Sequence, residues 1–267
     1  MAESSNIQSR QRLTIRISRN SLSFSSVNPE GQVVYEPYTV RSGISMAANL
    51  RKAVKEAEMP RQFSRAQVMI DTPVLMIPIE LFDESSINYL YSHSYPGYSS
   101  DEVLFNVLPD LKTVAAFSIN KDLKLVVGDN YEDVTFFHTL TPVWRHFNKR
   151  SYTGVRNKLY GYFHDKKLEI MAFRQNRFKY CNTFDTERGN DALYFMLYVW
   201  KLLQMRPNYD ELHIVGDIPD REWLTNEVKR FIERAYVINP SGEFNRSHVT
   251  QIKGMPYDLM TFYIKGK

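Results

Sequence analysis

Residues 13–27 read LTIRISRNSLSFSSV, and residues 159–173 read LYGYFHDKKLEIMAF. The two segments lie over one another without a gap: Leu13 falls on Leu159, Ile17 on Phe163, Leu22 on Leu168 and Phe24 on Ile170. Each alternates apolar and polar residues at period two, turns over a short polar stretch and alternates again, which is the pattern of a hairpin. A repeat at this separation constrains the fold more than any single motif, because two like units must each build a sheet and cover it in the same way.

The elements after each hairpin extend the match. In the first half, NPEG turns the chain at 28–31, and QVVYEPYTV reads as a third strand whose Pro37 marks an edge or a bulge. SMAANLRKAVKEAE puts Met46, Leu50, Val54 and Ala57 on one helical face, with Ser45 as N-cap. AQVMID at 66–71 reads as a fourth strand and LFDESSINYLYSHSY as a helix. TVAAFSI, NKDLKLVVGDN, DVTFFHT and TPVWRHFNK then read as strand, helix capped by Asn120, strand, and helix opened by Pro142. In the second half, RQNRFKYCNTF supplies the third strand. RGNDALYFMLYVWKLLQM at 188–205 is a helix apolar nearly all round, expected between two layers. ELHIVGD is the fourth strand, and REWLTNEVKRFIERA a helix with Trp223, Val228, Phe231 and Ile232 facing in. AYVINP is the fifth strand.

The order β-β-β-α-β-α-β therefore occurs twice, which predicts an α/β protein of two mixed sheets with helices on their faces. The expected organisation is a polar tail at 1–11, then a first domain at 12–150 with an extra strand-helix-strand-helix segment at about 113–149. A second domain follows at 151–267, and the two face each other across a cleft. RSYTGVRNK at 150–158, polar and basic, reads as the crossing between them.

This double arrangement resembles the actin-like ATPase superfamily, whose halves are ribonuclease H-like domains. The segment at 113–149 is similar to the pilus-assembly and secretion branch, and the whole chain resembles an uncharacterised bacterial family with an actin-like ATPase fold. In a typical member each half opens on a strand ending Asp-x-Gly followed by hydroxyl residues. The acid holds Mg²⁺, and the glycine lets backbone N–H groups approach phosphates. Laid on this chain, the acid positions fall at Arg16 and Tyr162 and the glycine positions at Ser18 and His164. The adenosine motif of the superfamily is a strand followed by Gly-Gly, and here HIVGDIPD has Gly216 and then Asp217. A nuclease of the ribonuclease H type needs acids on its first and fourth strands to hold two metal ions. Asp71 and Asp217 end the fourth strands, but Arg16 and Tyr162 take the first-strand places.

No other catalytic signature stands out. His138 and His146 lack a carboxylate at zinc spacing and read as structural. His164–Asp165 reads as a solvated hairpin turn or, in the sharper reading, a catalytic pair. The chain has one cysteine, Cys181, which reads as a buried strand residue and suits a reducing compartment. The N-terminus lacks an apolar leader, and LYFMLYVWKLL is too short to span a membrane, so the expected location is the cytoplasm without membrane insertion. The balance of 34 basic against 30 acidic residues permits an anionic partner without requiring one.

Three functions follow. The first is a non-catalytic actin-like binding or scaffold protein with a degenerate nucleotide cleft, no catalytic residue, no metal and another protein as partner. The second is an ATP-binding protein or ATPase in which Arg16, Ser18, Asn20 and His164 meet phosphates and Gly216 lies near the base; Tyr162 and Asp217 complete the cleft candidates. The third is an RNA- or DNA-binding protein that uses the basic, aromatic linker RHFNKRSYTGVRNKLYGYFHDKK.

Overall fold

The computed structural model describes residues 11–264, so the expected polar tail lies, apart from Gln11, outside the described residues. The chain divides into two compact units, the first ending at Thr141 and the second beginning at Pro142.

In the first unit the opening hairpin is β1 (Leu13–Ile17) and β2 (Leu22–Val27), followed by β3 (Val33–Tyr38), α1 (Met46–Glu56) and β4 (Arg65–Ile70). Later in the chain come α3 (Lys121–Asn130) and β8 (Asp133–His138). The sheet runs β3-β2-β1-β4-β8, with β1 antiparallel to β2 and parallel to β4. Leu13, Ile15, Ile17, Leu22 and Phe24 point to one face, where Leu50 and Ala53 of α1 and Leu123, Val126 and Val127 of α3 cover them. The expected caps hold: Ser45 Oγ accepts from Ala48 N, and Asn120 accepts from Asp122 N and Leu123 N.

Between β4 and α3 the chain builds a small second sheet. β5 (Leu75–Pro78), α2 (Ile87–Ser94), β6 (Glu102–Leu108) and β7 (Thr113–Ile119) give the order β5-β7-β6, all antiparallel. Its core is Ile77, Ile87, Tyr91 and Ala116, and the Tyr91 hydroxyl donates to Pro73 O at 2.6 Å. This corrects the sequence reading. β5 and β6 lie in stretches to which the sequence reading gave no element. The added piece runs over 75–119 rather than 113–149, because α3 and β8 complete the main sheet through parallel pairing with β4.

The second unit repeats the plan. α4 (Thr141–Ser151) leads into β9 (Lys158–His164), β10 (Lys167–Arg174) and β11 (Arg177–Asp185), then α5 (Gly189–Leu202), β12 (Glu211–Gly216), α6 (Arg221–Phe231) and β13 (Ala235–Val237). The sheet runs β11-β10-β9-β12-β13. Asp165 and Lys166, both at positive φ, make the tight turn of the β9–β10 hairpin. One hydrogen bond closes both units alike: Asp71 N donates to Ile17 O and Asp217 N to Phe163 O, each at 2.9 Å. The duplication therefore holds at the level of single backbone groups. Two short helices, α7 (Pro240–Glu243) and α8 (Tyr257–Tyr263), end the described chain.

The division falls at Thr141/Pro142 rather than in the basic stretch at 150–158, so α4 packs with the elements after it. The Phe147 ring stacks on Tyr160 of β9 with centroids 4.3 Å apart and planes 12° apart. Two side-chain expectations also fail. Trp223 and Phe231 of α6 are exposed, with Leu224, Val228 and Ile232 making the inner face. α5 is covered on one side only, leaving Tyr194, Tyr198 and Leu202 open to solvent. No helix among the described residues is long and apolar enough to cross a membrane.

Candidate functional site

The seven candidate residues divide between the units. Arg16, Ser18 and Asn20 belong to the β1–β2 hairpin, and its polar groups are turned on one another. Ser18 N donates to Ser21 O at 2.9 Å, Ser21 N to Ser18 Oγ at 3.2 Å, and the two hydroxyls lie 2.7 Å apart. Arg16, 4 % exposed, donates from its guanidinium to Ser21 Oγ at 2.9 Å. A phosphate loop presents such donors outward, towards its anion. Here Ser18, Ser21 and one Arg16 N–H bond one another, and only Asn20 of the three candidates is exposed.

The other four lie in the second unit, at the carboxyl ends of its strands. Tyr162, Gly216 and Asp217 line one cavity of about 230 Å³, together with Phe163, Arg221 and Tyr257 among others. Gly216 has φ +99°, and a Cβ there would meet Phe163 O at 2.0 Å. The positive φ and the close approach both require glycine. His164 does not line this cavity. It is buried at the end of β9 rather than solvated in the turn, and its ring stacks on Tyr162 at 4.7 Å. Its Nδ1 lies 3.2 Å from Asp165 Oδ2 and its Nε2 lies 3.4 Å from Glu169 Oε1, so carboxylates of its own hairpin flank both ring nitrogens.

Tyr162 is buried, and its hydroxyl donates to Asp258 Oδ2 at 2.8 Å while accepting from Asp258 N at 3.3 Å. Asp258 itself is fully buried in the first turn of α8. The second-half position that holds an acid in typical actin-like members is therefore filled by a phenol committed to a helix of the same chain. The sequence reading missed Arg221, Tyr257 and Asp258. Arg221 left a signal: a cation at the first position of a helix opposes the helix dipole, which favours anions there. Asp258 left another, as an acid set in the apolar run PYDLMTFY.

α7 and α8 are held against α4 by one carboxylate. Glu243 accepts from Tyr257 Oη at 2.7 Å, meets His146 Nε2 at 2.9 Å and pairs with Arg150. Burial raises the Glu243 carboxyl, but the bonds from His146 and Tyr257 and the charge of Arg150 outweigh it and hold the group below the usual carboxylate range. A carboxyl lowered in the folded state stabilises above its unfolded pKa of about 4.3 and loses that contribution as pH falls through the folded value. Glu243→Gln is expected to cost about 1–2 kcal/mol at pH 7, a figure reduced because Arg150 is about a third exposed. The gap between wild type and variant should close at acid pH. Urea melts at a series of pH values check this, and a gap that is flat from pH 7 to pH 3 would count against it.

Three cations of the basic linker are spent internally. Arg150 pairs with Glu243, and Arg156 reaches Glu211 at 3.2 Å and lies over the Tyr209 ring at 5.4 Å. Lys158 is buried and donates to the carbonyls of Arg150, Ser151 and Thr153, closing the end of α4. Burial and the Glu169 charge push the Cys181 thiol up, which disfavours the thiolate a nucleophile needs.

The cavity lining holds one cation, Arg221, one acid, Asp217, and otherwise apolar, aromatic and backbone surface, with no histidine, cysteine, serine or lysine. Such a surface can seat a ring or a small apolar group beside an anion, but it supplies no nucleophile with a base at its side. The cavity, at about 230 Å³, is smaller than the roughly 300–1,000 Å³ of ordinary ligand pockets.

Residues 2–234 match the family described as "Protein of unknown function (DUF3822)". No curated protein matches the chain. Among solved structures, a Bacteroides thetaiotaomicron protein described as having an actin-like ATPase fold and unknown function is 27 % identical, with a TM-score of 0.82 and 97 % of both chains covered. A chain of the PilM–PilN type IV pilus biogenesis complex is similar at 11 % identity and a TM-score of 0.60, covering 95 % of this chain and 97 % of that one.

Proposed function

The chain belongs to the DUF3822 family of proteins of unknown function and carries an actin-like ATPase fold, and from that premise we propose that it is a non-catalytic binding or scaffold protein whose nucleotide motifs have been turned to structural use. The observation that carries this reading is the bond from Tyr162 to the buried Asp258. It replaces a metal ligand with an internal tie. The inward-turned hydroxyls of the first hairpin support the same conclusion. Another protein is the partner we infer. The similar chain of the PilM–PilN complex belongs to a protein assembly, and here the cavity lining offers shape and apolar surface rather than reactive groups. We place the protein in the cytoplasm, a reading supported by its single cysteine.

A thermal-shift panel of adenine and guanine nucleotides, each with and without Mg²⁺, tests the proposal together with an ATP hydrolysis assay. The expected result is no shift with any nucleotide and no turnover above the rate of the buffer. A shift that needs Mg²⁺, or turnover at an enzymatic rate, would overturn it. One observation favours a second reading, ATP held without metal: Arg221 stands at the start of α6 beside Gly216 in the cavity wall. That reading requires a metal-independent shift that disappears in Arg221→Ala. A salt-steep affinity for RNA or DNA would point instead to surface cations outside the linker pairs described above.

A further inference from the structure

α5 is apolar nearly all round, the signature of a helix buried on every side. One copy of the chain buries one side. Ala192, Met196, Val199 and Trp200 enter the core of the second unit, whereas Tyr194, Tyr198 and Leu202 are 63 %, 50 % and 54 % exposed. The spacing of these three sets them in one stripe along the helix. The rings of Tyr194 and Tyr198 lie nearly parallel, with centroids 6.2 Å apart.

The stripe has a symmetry that an accidental patch lacks. Asp191 stands at one end and Lys201 at the other, both exposed, and neither forms an ion pair among the described residues. Asp191 and Lys201 are equally far from Met196, and so are Tyr194 and Tyr198. If a second α5 lies antiparallel across the first, crossing over the point midway between Tyr194 and Tyr198, Tyr194 meets Tyr198 of the other copy, and Asp191 meets its Lys201. Each contact then occurs twice, as a two-fold interface requires. The stripe also borders the open edge of the sheet. Phe195 of α5 stacks on Phe184 of β11 at 4.4 Å, and β11, nine residues long and free of proline, is the outermost strand. The other meander edge, β3, carries Pro37, which blunts it.

We propose that the exposed face of α5 is a homodimer interface, in which a second copy of this chain packs its own α5 antiparallel across Tyr194 and Tyr198 and pairs Asp191 with Lys201 at both ends.

Sedimentation velocity on the full chain across a concentration series tests this with three proteins: wild type, Lys201→Glu and the double variant Asp191→Lys/Lys201→Glu. Wild type is expected to show a concentration-dependent dimer. Lys201→Glu sets two acids against two acids and should weaken the dimer about tenfold or more. The double variant restores opposite charges at both ends and should recover the affinity, an outcome that a merely misfolded single variant cannot produce. Hydrogen exchange of wild type at low and high concentration is a second measurement, with added protection expected in α5 and β11. A wild-type monomer at every concentration overturns the proposal. So does a dimer indifferent to Lys201→Glu, a double variant no tighter than the single one, or concentration-dependent protection confined to other elements.

Discussion

Gly216→Ala is expected to destabilise the second unit by about 3 kcal/mol or more, a large fraction of the roughly 5–15 kcal/mol of an ordinary domain. Two costs add. The residue sits at φ +99°, where an L side chain is strained, and its Cβ would stand 2.0 Å from Phe163 O. That carbonyl cannot retreat cheaply. It accepts the Asp217 N–H that ties β12 to β9, so any movement that relieves the clash breaks the bond closing the sheet at the cavity. All three tryptophans, Trp144, Trp200 and Trp223, lie in the second unit, so tryptophan fluorescence during urea unfolding follows that unit alone. An alanine variant with a midpoint close to wild type would refute the close approach. The equivalent position in the first unit is Ile70, which carries its side chain into the core, so only one of the two units has this requirement.

Phe147→Ala should cost the same unit about 3–5 kcal/mol. The ring is fully buried, stacked on Tyr160 and packed against Tyr257, with centroids 4.3 Å and 6.0 Å away. Truncation leaves a cavity between α4, β9 and α8, and two rigid aromatic neighbours collapse poorly into such a space. Phe147→Leu, which keeps most of the volume, should cost less than half as much. The size of the effect also reports where the second unit begins. If α4 belonged to the first unit, unfolding followed by Trp200 and Trp223 in a Trp144→Phe background would be insensitive to Phe147. The expected result is a shift in the fluorescence midpoint as large as that seen by circular dichroism.

Much of the fold was legible in the chain. Period-two alternation in LTIRISRNSLSFSSV and LYGYFHDKKLEIMAF marked the hairpins, because strands buried on one face or both carry their apolar residues in a register that a single slip would ruin. Ser45 and Asn120 marked helix starts because their side chains satisfy N–H groups that nothing else reaches. The small sheet was not legible. LMIP in β5 is too short for a pattern, and EVLFNVL in β6 follows the tyrosine-rich stretch NYLYSHSYPGYSS, whose residues suit a helix, a turn or a surface equally. Placing β7 in that sheet and β8 in the main one depends on pairing between strands far apart in sequence, and both read alike as apolar strands in isolation.

The candidate site shows the same division. The sequence by itself determined that no Asp-x-Gly follows the first strand of either half, where Arg16, Ser18, Tyr162 and His164 stand, since residue identity is a property of the chain alone. It determined the duplication too, because hydrophobic phase survives where identity does not. Only the tertiary structure decided what the replacements do. Arg16 bonds Ser21 within its own hairpin, Tyr162 ties down Asp258, and His164 is buried between Asp165 and Glu169. It also decided that α5, read as a helix between two layers, has one layer and one open face. The physical reason is common to all of these. A residue's type limits which bonds it can make, but the partner is chosen by whatever the fold brings within reach, and Asp258 lies almost a hundred residues from Tyr162.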